Sequence, residues 1–319
     1  FLKNSPMMAY LAMMAPRLVE LHRVLKPTGS LYLHCDPTAS HYLRLLLDGV
    51  FGADNFRNEI IWKRKAGRGE TNNAAIRFGV SADSILFYAR SKASFFRRQY
   101  RANNPHYIET KFTNLDEKGR RYHLDNITSP SYRPNLVYEY KGYAPPTKGW
   151  AVSRERMEQM EAEGRLYLPK DKTKRIRRKR YLDELEGETV DSLWDDIPPI
   201  NSQAQERLGY PTQKPQALLE RIIEASTNPG GLVLDPFCGC GTTVHAAQKA
   251  GRQWIGIDVT YLAINLIKRR LKDAFGEELQ FEEKGQPTDF TSAQRLAELD
   301  KFQFQHWALS LIDARPLKE

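Results

Sequence analysis

The chain is poor in cysteine: among 319 residues only Cys35, Cys238 and Cys240 occur. Three thiols cannot build the disulfide framework of a small secreted fold, so a reducing cytosol is the expected compartment. Metal-site patterning is also missing. The seven histidines, His22, His34, His41, His106, His123, His245 and His306, are scattered, and none pairs with a cysteine or a second histidine at ligand spacing. No metal is therefore expected. No apolar run comes near the length of a bilayer-spanning helix, so no membrane partner is expected. The first residue is Phe1, set in no signal-peptide pattern, and the chain reads as beginning partway into a longer protein. What is present suffices for a core: 41% of residues are hydrophobic and 11% aromatic, which excludes wholesale disorder.

The net charge of +9 conceals an asymmetry. Residues 60–180 hold 28 Lys and Arg against 12 Asp and Glu, a net of +16, while all other residues carry 20 against 27, a net of −7. A basic third inside a mildly acidic chain points to a polyanionic partner, against the plainer reading of a solvated lysine-rich surface. Lys170 to Arg180 is its densest part, with eight basic residues in eleven. Mutual repulsion predicts a segment that stays flexible or extended until phosphates neutralise it.

Apolar residues at three- and four-residue steps predict a helix over Met7–Val24, stopped by Lys26-Pro27-Thr28-Gly29. Short apolar runs predict strands at Ser30–Cys35, Phe56–Trp62 and Asp83–Tyr88, with a helix at Thr38–Phe51 and a mobile Gly- and Asn-rich loop at 67–79. From Ser91 to Ile200 periodicity weakens, apart from one short helix at Ser153–Glu163. Beyond Asn201 it returns as helix 215–227, strand 232–234, helix 242–250, strand 254–257 and helix 261–275. That alternation predicts a parallel sheet covered by helices. A last helix is expected at Ser292–Leu309.

The chemistry lies in Gly231–Asp258. A strand enters Asp235-Pro236-Phe237-Cys238-Gly239-Cys240-Gly241-Thr242-Thr243, and a helix follows at once. Gly239 and Gly241 permit a tight turn and close approach of a ligand to the backbone. Asp258, at the end of the next strand, suits a ribose diol. No Gly-Lys-Ser/Thr follows, so this is not a Walker loop. Asp235 would repel a pyrophosphate but suits a cationic ligand, which favours S-adenosylmethionine over a dinucleotide. A purely structural strand-turn-helix is the plain alternative.

These residues resemble the amino-group DNA methyltransferases, which methylate the exocyclic nitrogen of adenine or cytosine. The family's cofactor motif is similar to the Asp235–Thr243 stretch. Its Thr-Gln-Lys-Pro element, which packs against the methionine moiety, corresponds to Thr212-Gln213-Lys214-Pro215, and Asp258 falls in the ribose-binding position. The segments SLYLHC, NEIIWKR and DSILFYARS resemble its later strands. The resemblance covers nearly all of residues 1–275, and its order is that of the permuted beta group, with the target recognition region between the halves. It implies an α/β, Rossmann-like methyltransferase sheet. The expected organisation is catalytic half 1–90, inserted basic recognition region 91–200, cofactor half 201–275 and extension 276–319. It further implies S-adenosylmethionine as cofactor and double-stranded DNA as substrate in a prokaryotic restriction-modification system. A second copy or a restriction subunit is the expected protein partner. Lys63, Arg64, Lys65 and Arg68, with Lys170, Lys172, Lys174, Arg175, Arg177, Arg178, Lys179 and Arg180, are the expected DNA contacts.

One departure stands out. The family's catalytic Asp-Pro-Pro-Tyr tetrapeptide is absent from the 319 residues. Asp36-Pro37-Thr38-Ala39 lacks the second proline and the aromatic and reads as structural. The expectation is that the catalytic strand precedes Phe1 and that this chain alone is inactive. Adenine-N6 is the expected target, with cytosine-N4 or a catalytically dead DNA-binding module as alternatives. No Pro-Cys dipeptide occurs, which argues against cytosine-C5 chemistry, and neither Cys238 nor Cys240 is expected to be a nucleophile.

Overall fold

A computed structural model describes residues 4–65 and 78–312. Arg68, and all but the last two residues of the loop expected at 67–79, lie outside that range. The chain divides into two compact units, Tyr100–Thr189 and the remainder. The expected catalytic half, cofactor half and extension thus fall in one unit.

In the first unit the chain runs through α1 (Pro6–Val24), β1 (Ser30–Cys35), α2 (Ser40–Phe51), β2 (Phe56–Lys63) and β3 (Ala82–Ala89). The second unit holds β4 (Tyr100–Arg101), α3 (Pro105–Lys111), β5 (Asn114–Leu115), β6 (Arg121–Asn126), α4 (Arg154–Ala162), β7 (Leu166–Tyr167), β8 (Arg177–Tyr181) and β9 (Glu188–Thr189). The first unit resumes with β10 (Leu193–Trp194), α5 (Gln216–Ser226), β11 (Leu232–Asp235) and α6 (Thr242–Lys249). It closes with β12 (Gln253–Gly256), α7 (Tyr261–Phe275), α8 (Phe290–Leu299) and α9 (Lys301–Ser310).

The first sheet has the order β1-β3-β2-β10, with β3 antiparallel to both neighbours and β10 parallel to β2. Strand β3 is buried from Asp83 to Ala89, which is why it reads as an almost unbroken apolar run rather than an alternation. Its even residues Leu86 and Tyr88 pack with Leu18 of α1 and Leu43, Leu47 and Phe51 of α2. Its odd residues Ile85 and Phe87 pack on the other face with Trp62, Trp194 and Leu218 of α5. Strands β11 and β12 form a separate parallel ladder, as the βαβα pattern requires. Ile223 of α5 joins Ala246 and Ala247 of α6 against Val233 and Trp254. Helix α5 therefore packs against both ladders.

The second unit is built on an antiparallel sheet, β5-β6-β8-β7, over a core of Tyr140, Tyr143, Trp150, Met157 and Ile176. The expectation that Lys170–Arg180 stays flexible or extended until phosphates neutralise it is corrected in part: its end is extended, but fixed by the protein itself. Ile176 is fully buried, and Arg177–Tyr181 is a strand paired with β6 along its whole length. Cross-strand partners, not phosphates, order it.

The single helix expected at 292–309 is two helices. Asp300 adopts extended geometry (φ −153°, ψ 98°) and its carboxylate caps α9 by accepting from the Phe302 and Gln303 amides, each at 3.0 Å. Helix α9 then returns onto α7, where the Gln303 Oε1 accepts from the first amide of α7, Tyr261, at 3.0 Å. No described helix is long and apolar enough to cross a membrane.

Leu43 has no exposed surface and sits where α1, α2 and β3 meet. Leu43→Ala is expected to cost about 2–5 kcal/mol in a denaturant titration. A loss below about 1 kcal/mol would show that the cluster relaxes around the cavity.

Candidate functional site

Strands β11 and β12 end side by side, and the turn after β11 is bound into their ends. The Ile257 amide donates to the Asp235 carbonyl at 2.9 Å and the Cys238 amide donates to the Ile257 carbonyl at 3.0 Å. The Asp235 Oδ1 accepts from the Phe237 amide at 3.0 Å. Gly239 (φ 49°) and Gly241 (φ 74°) occupy left-handed backbone, and Gly241 caps α6. A Cβ at Gly241 would lie 2.6 Å from Ile267 Cγ1 of α7. At Gly239 it would lie 3.1 Å from the ring of Tyr210. The glycines thus supply both the dihedrals and the close approach.

Asp258 faces this turn. Its Oδ2 accepts from the Gly239 amide at 3.0 Å, and its Oδ1 from the Thr260 amide and hydroxyl at 3.0 and 2.9 Å. A carboxylate offers about four acceptor positions, so Oδ2 keeps one for a ligand hydroxyl. Cys238 and Cys240 are buried. Burial, with Asp235 and Asp258 nearby, pushes the Cys238 thiol up to about 12, so it stays protonated and is no nucleophile. Phe237 stands half-exposed at the turn, and Thr242 is buried behind it.

Twenty-odd residues upstream, the Thr212–Pro215 element is folded on itself. The Gln213 side chain accepts from the Leu208 amide at 2.8 Å and donates to the Glu206 carbonyl. The Glu206 carboxylate accepts from the Gln216 amide at 2.9 Å, at the start of α5. Pro215 is buried and Thr212 exposed. The Lys214 Nζ donates to the Thr212 carbonyl at 3.0 Å. Burial holds this ammonium below the usual lysine range, against the charges of Asp83 and Asp235.

Three residues here escaped the sequence reading. Tyr210 lies over Gly239, its hydroxyl raised by burial and by the charge of Asp258. Arg270 of α7 is 8% exposed and donates to the Thr242 hydroxyl at 3.0 Å and the Cys240 carbonyl at 3.5 Å. Its burial pulls the guanidinium below the usual arginine range. Asp83, buried, binds Arg64 at 3.1 Å and His34 at 3.0 Å. Tyr210 adjoins the Pro-Thr-Gln-Lys-Pro run and was findable by position. Arg270 reads in sequence as one more cation in a helix's last turns.

The remaining expected residues divide. Asp36 serves its own turn, its Oδ1 accepting from the Thr38 and Ala39 amides at 3.0 and 3.1 Å. Lys63 and Lys65 are exposed. In the second unit Arg178 pairs with Asp125 at 2.7 Å, and Lys172 lies 3.9 Å from the Tyr143 ring. Lys170, Lys174, Arg175, Arg177 and Arg180 are exposed, and Lys179 is half-buried. No metal-binding cluster of three or more His, Cys, Asp or Glu occurs among the described residues.

A glycine turn at the carboxyl ends of parallel strands, closed by an acid on the next strand end, defines an α/β protein that binds a nucleoside-bearing ligand. The chain belongs to the N6/N4 DNA methylase family, whose model matches residues 2–269. It is 32% identical over 264 residues to the Type II methyltransferase M.EcaI of Enterobacter cloacae, covering 82% of this chain and 57% of that one. It is 42% identical over 112 residues to the DNA adenine methyltransferase YhdJ of Escherichia coli, covering 34% of this chain and 38% of that one. The solved M1.HpyAVI–SAM complex is similar at 18% identity and a TM-score of 0.43, covering 82% of each chain. With the family match, the parallel β11–β12 ladder and its glycine turn are those of an α/β DNA methylase. This chain spans about half the length of the relatives it matches.

Gly241→Ala forces a side chain into left-handed backbone and against Ile267, and is expected to cost about 1–3 kcal/mol or more. Gly49, inside α2 with no atom within 4 Å of its added Cβ, is the control. Gly49→Ala is expected to stabilise by about 0.5–1 kcal/mol. Denaturant titration of both variants checks the contrast, and equal effects would refute it.

Proposed function

We propose that the chain is part of a site-specific DNA methyltransferase. It carries a methyl group from S-adenosylmethionine to the N6 amino group of adenine in duplex DNA, within a restriction-modification system. The observation that carries this reading is the Asp235–Thr243 turn held by Asp258, with the Tyr210–Pro215 element folded onto it. Similarity to a relative named as an adenine methyltransferase supports the choice of adenine.

The residues fit this cofactor. Glycines at 239 and 241 permit a tight turn packed on Tyr210 and Ile267, and Asp258 keeps an acceptor position for a ribose hydroxyl. Asp235 adds negative charge beside a ligand bearing a sulfonium and an ammonium. When bound, the cofactor supplies an electrophilic methyl group on sulfur. The chain's own part is to fix that group in place. Asp258 orients the ribose, and Tyr210, lying over Gly239, borders the turn. Asp258→Ala removes a charge-assisted hydrogen bond to the ribose and also frees the Gly239 amide. It is expected to weaken S-adenosylmethionine binding by about 10- to 150-fold, the equivalent of roughly 1.5–3 kcal/mol. Calorimetry measures this, and unchanged affinity would defeat the cofactor assignment.

We further propose that the acceptors for the target amine come from sequence outside these 319 residues, since no Asp-Pro-Pro-Tyr occurs within them. Among the described residues β1 pairs only with β3, and β11 only with β12. Each therefore keeps one open ladder edge, in a unit where α5 packs against both sheets. A strand entering there would end beside the turn, as a base flipped from the duplex requires. The 319-residue chain is expected to transfer no labelled methyl group to duplex DNA while still binding cofactor. A fused or separately added segment bearing the tetrapeptide is expected to restore transfer. Robust transfer by the chain alone would show that another element supplies the acceptors.

A further inference from the structure

Strand β8 sorts its basic residues by parity. Directly opposed residues of an antiparallel ladder share a face. Arg178 stands opposite Asp125 and Leu166, and Ile176, on the same side, is buried in the unit's core. Arg177 stands opposite Asn126 and Tyr167, and Lys179 opposite Leu124. The tract is thus two sets of cations back to back, one built into the protein and one turned away from its core.

The charges on the two faces have different partners. Arg178 is spent on Asp125, whose carboxyl this pairing holds below its usual range despite burial. Elsewhere in the unit Arg120 pairs with Asp183 and Glu184, Arg165 with Glu163 and Glu184, and Lys141 with Glu161. Arg177 and Lys179 form no ion pair among the described residues. Arg177 and Asn126 are exposed, and Tyr167 is 42% exposed. Lys179 lies over the Tyr122 ring, its Nζ 5.3 Å from the centroid. The Asn126 Oδ1 is taken by Thr128, which leaves the amide hydrogens as donors. Neither β6 nor β8 places a carboxylate on this face.

We propose that this open face of the β6–β8 ladder, with Arg177 and Lys179 as its phosphate contacts, is the surface by which the second unit meets duplex DNA. The proposal rests on the DNA methyltransferase reading. Unpaired cations answer phosphates, while an exposed amide and tyrosines serve base edges and sugars. On the opposite face Ile176 is buried in the core and Asp125 neutralises Arg178, which leaves exposed Arg180 as the one β8 cation there without an ion pair among the described residues. The assignment also divides the tract into roles. Arg178 holds the sheet together, and its loss acts on folding, whereas Arg177 and Lys179 act on binding.

The test is a salt titration of duplex binding by the full 319-residue chain. The double variant Arg177→Gln/Lys179→Gln is compared with a charge-matched control, Lys111→Gln/Lys118→Gln, exposed lysines of the same unit outside β6 and β8. Two lost phosphate contacts are expected to weaken binding at least about tenfold and to flatten the log–log salt slope by about 1.8. The control is expected to change affinity by less than about threefold, with its slope nearly kept. Equal weakening by both pairs, or none by the first, would overturn the assignment. A chain that binds no duplex at all would overturn the DNA reading itself, and the proposal with it. Thermal melting checks that both doubles fold. Should the first fail to fold, exposed Arg177→Gln alone decides, with an expected slope change of about 0.9.

Discussion

The bond from the Gly239 amide to the Asp258 carboxylate joins two strand ends, and the rest of the site depends on it. Asp258 serves as ligand acceptor and as structural anchor at once. Its Oδ1 is fixed by Thr260, so the carboxylate cannot rotate away, and its Oδ2 holds the crest of the turn. The turn's other constraint is spatial. Gly241 lies against Ile267 with no room for a methyl group, so α7 sets the depth to which the turn sinks. Geometry of this kind is prepared before any ligand arrives, which is how a site lowers the ordering cost of binding.

The second unit obeys a different constraint. A small sheet carrying this much positive charge must neutralise part of it to fold. The acids of the unit do so, and they are clustered. Asp183, Glu184 and Glu163 gather round Arg120 and Arg165 at one end of β8, and Arg120 lies 3.9 Å from the Tyr181 ring. Asp125 neutralises one position near the middle. The excess of cations over acids is thereby pushed to particular places rather than smeared over the surface. Exposed single ion pairs are individually weak. Their importance here is in choosing which charges remain free.

How much of this the sequence discloses depends on the range of the interaction. The turn was legible because its demands are local: dihedrals that favour glycine, an acid at the strand end and a helix start one residue later. The buried strand Asp83–Ala89 was legible because burial on both faces leaves an unbroken apolar run. The Lys170–Arg180 tract was misread because a count of charges ignores what stands across the ladder. Asp125, Tyr122 and the buried Ile176 lie in other stretches or inside the run, and only pairing reveals them. The last helix was misread for a local reason passed over. Asp300 is a good cap, and a cap in mid-pattern starts a new helix. Tyr210 was findable from its place beside the Pro211–Pro215 run, whereas Asp83 and Arg270 depend on tertiary contact and leave little local signal.

Arg270 shows what this site costs the fold. A buried guanidinium loses hydration that a carbonyl and a hydroxyl repay only in part, and no described carboxylate forms an ion pair with it. It also approaches the first turn of α6, the positive end of that helix, where a cation is least welcome. An apolar side chain of similar size would suit such a position better on stability alone. What the guanidinium does instead is hold the Cys240 carbonyl and the Thr242 hydroxyl from behind, in the same turn that Asp258 holds from the front. Strain and unbalanced charge accumulate where geometry has a use beyond folding. Here they converge on four residues, Gly239 to Thr242, the narrow place where the two ladder ends, α6 and α7 all meet.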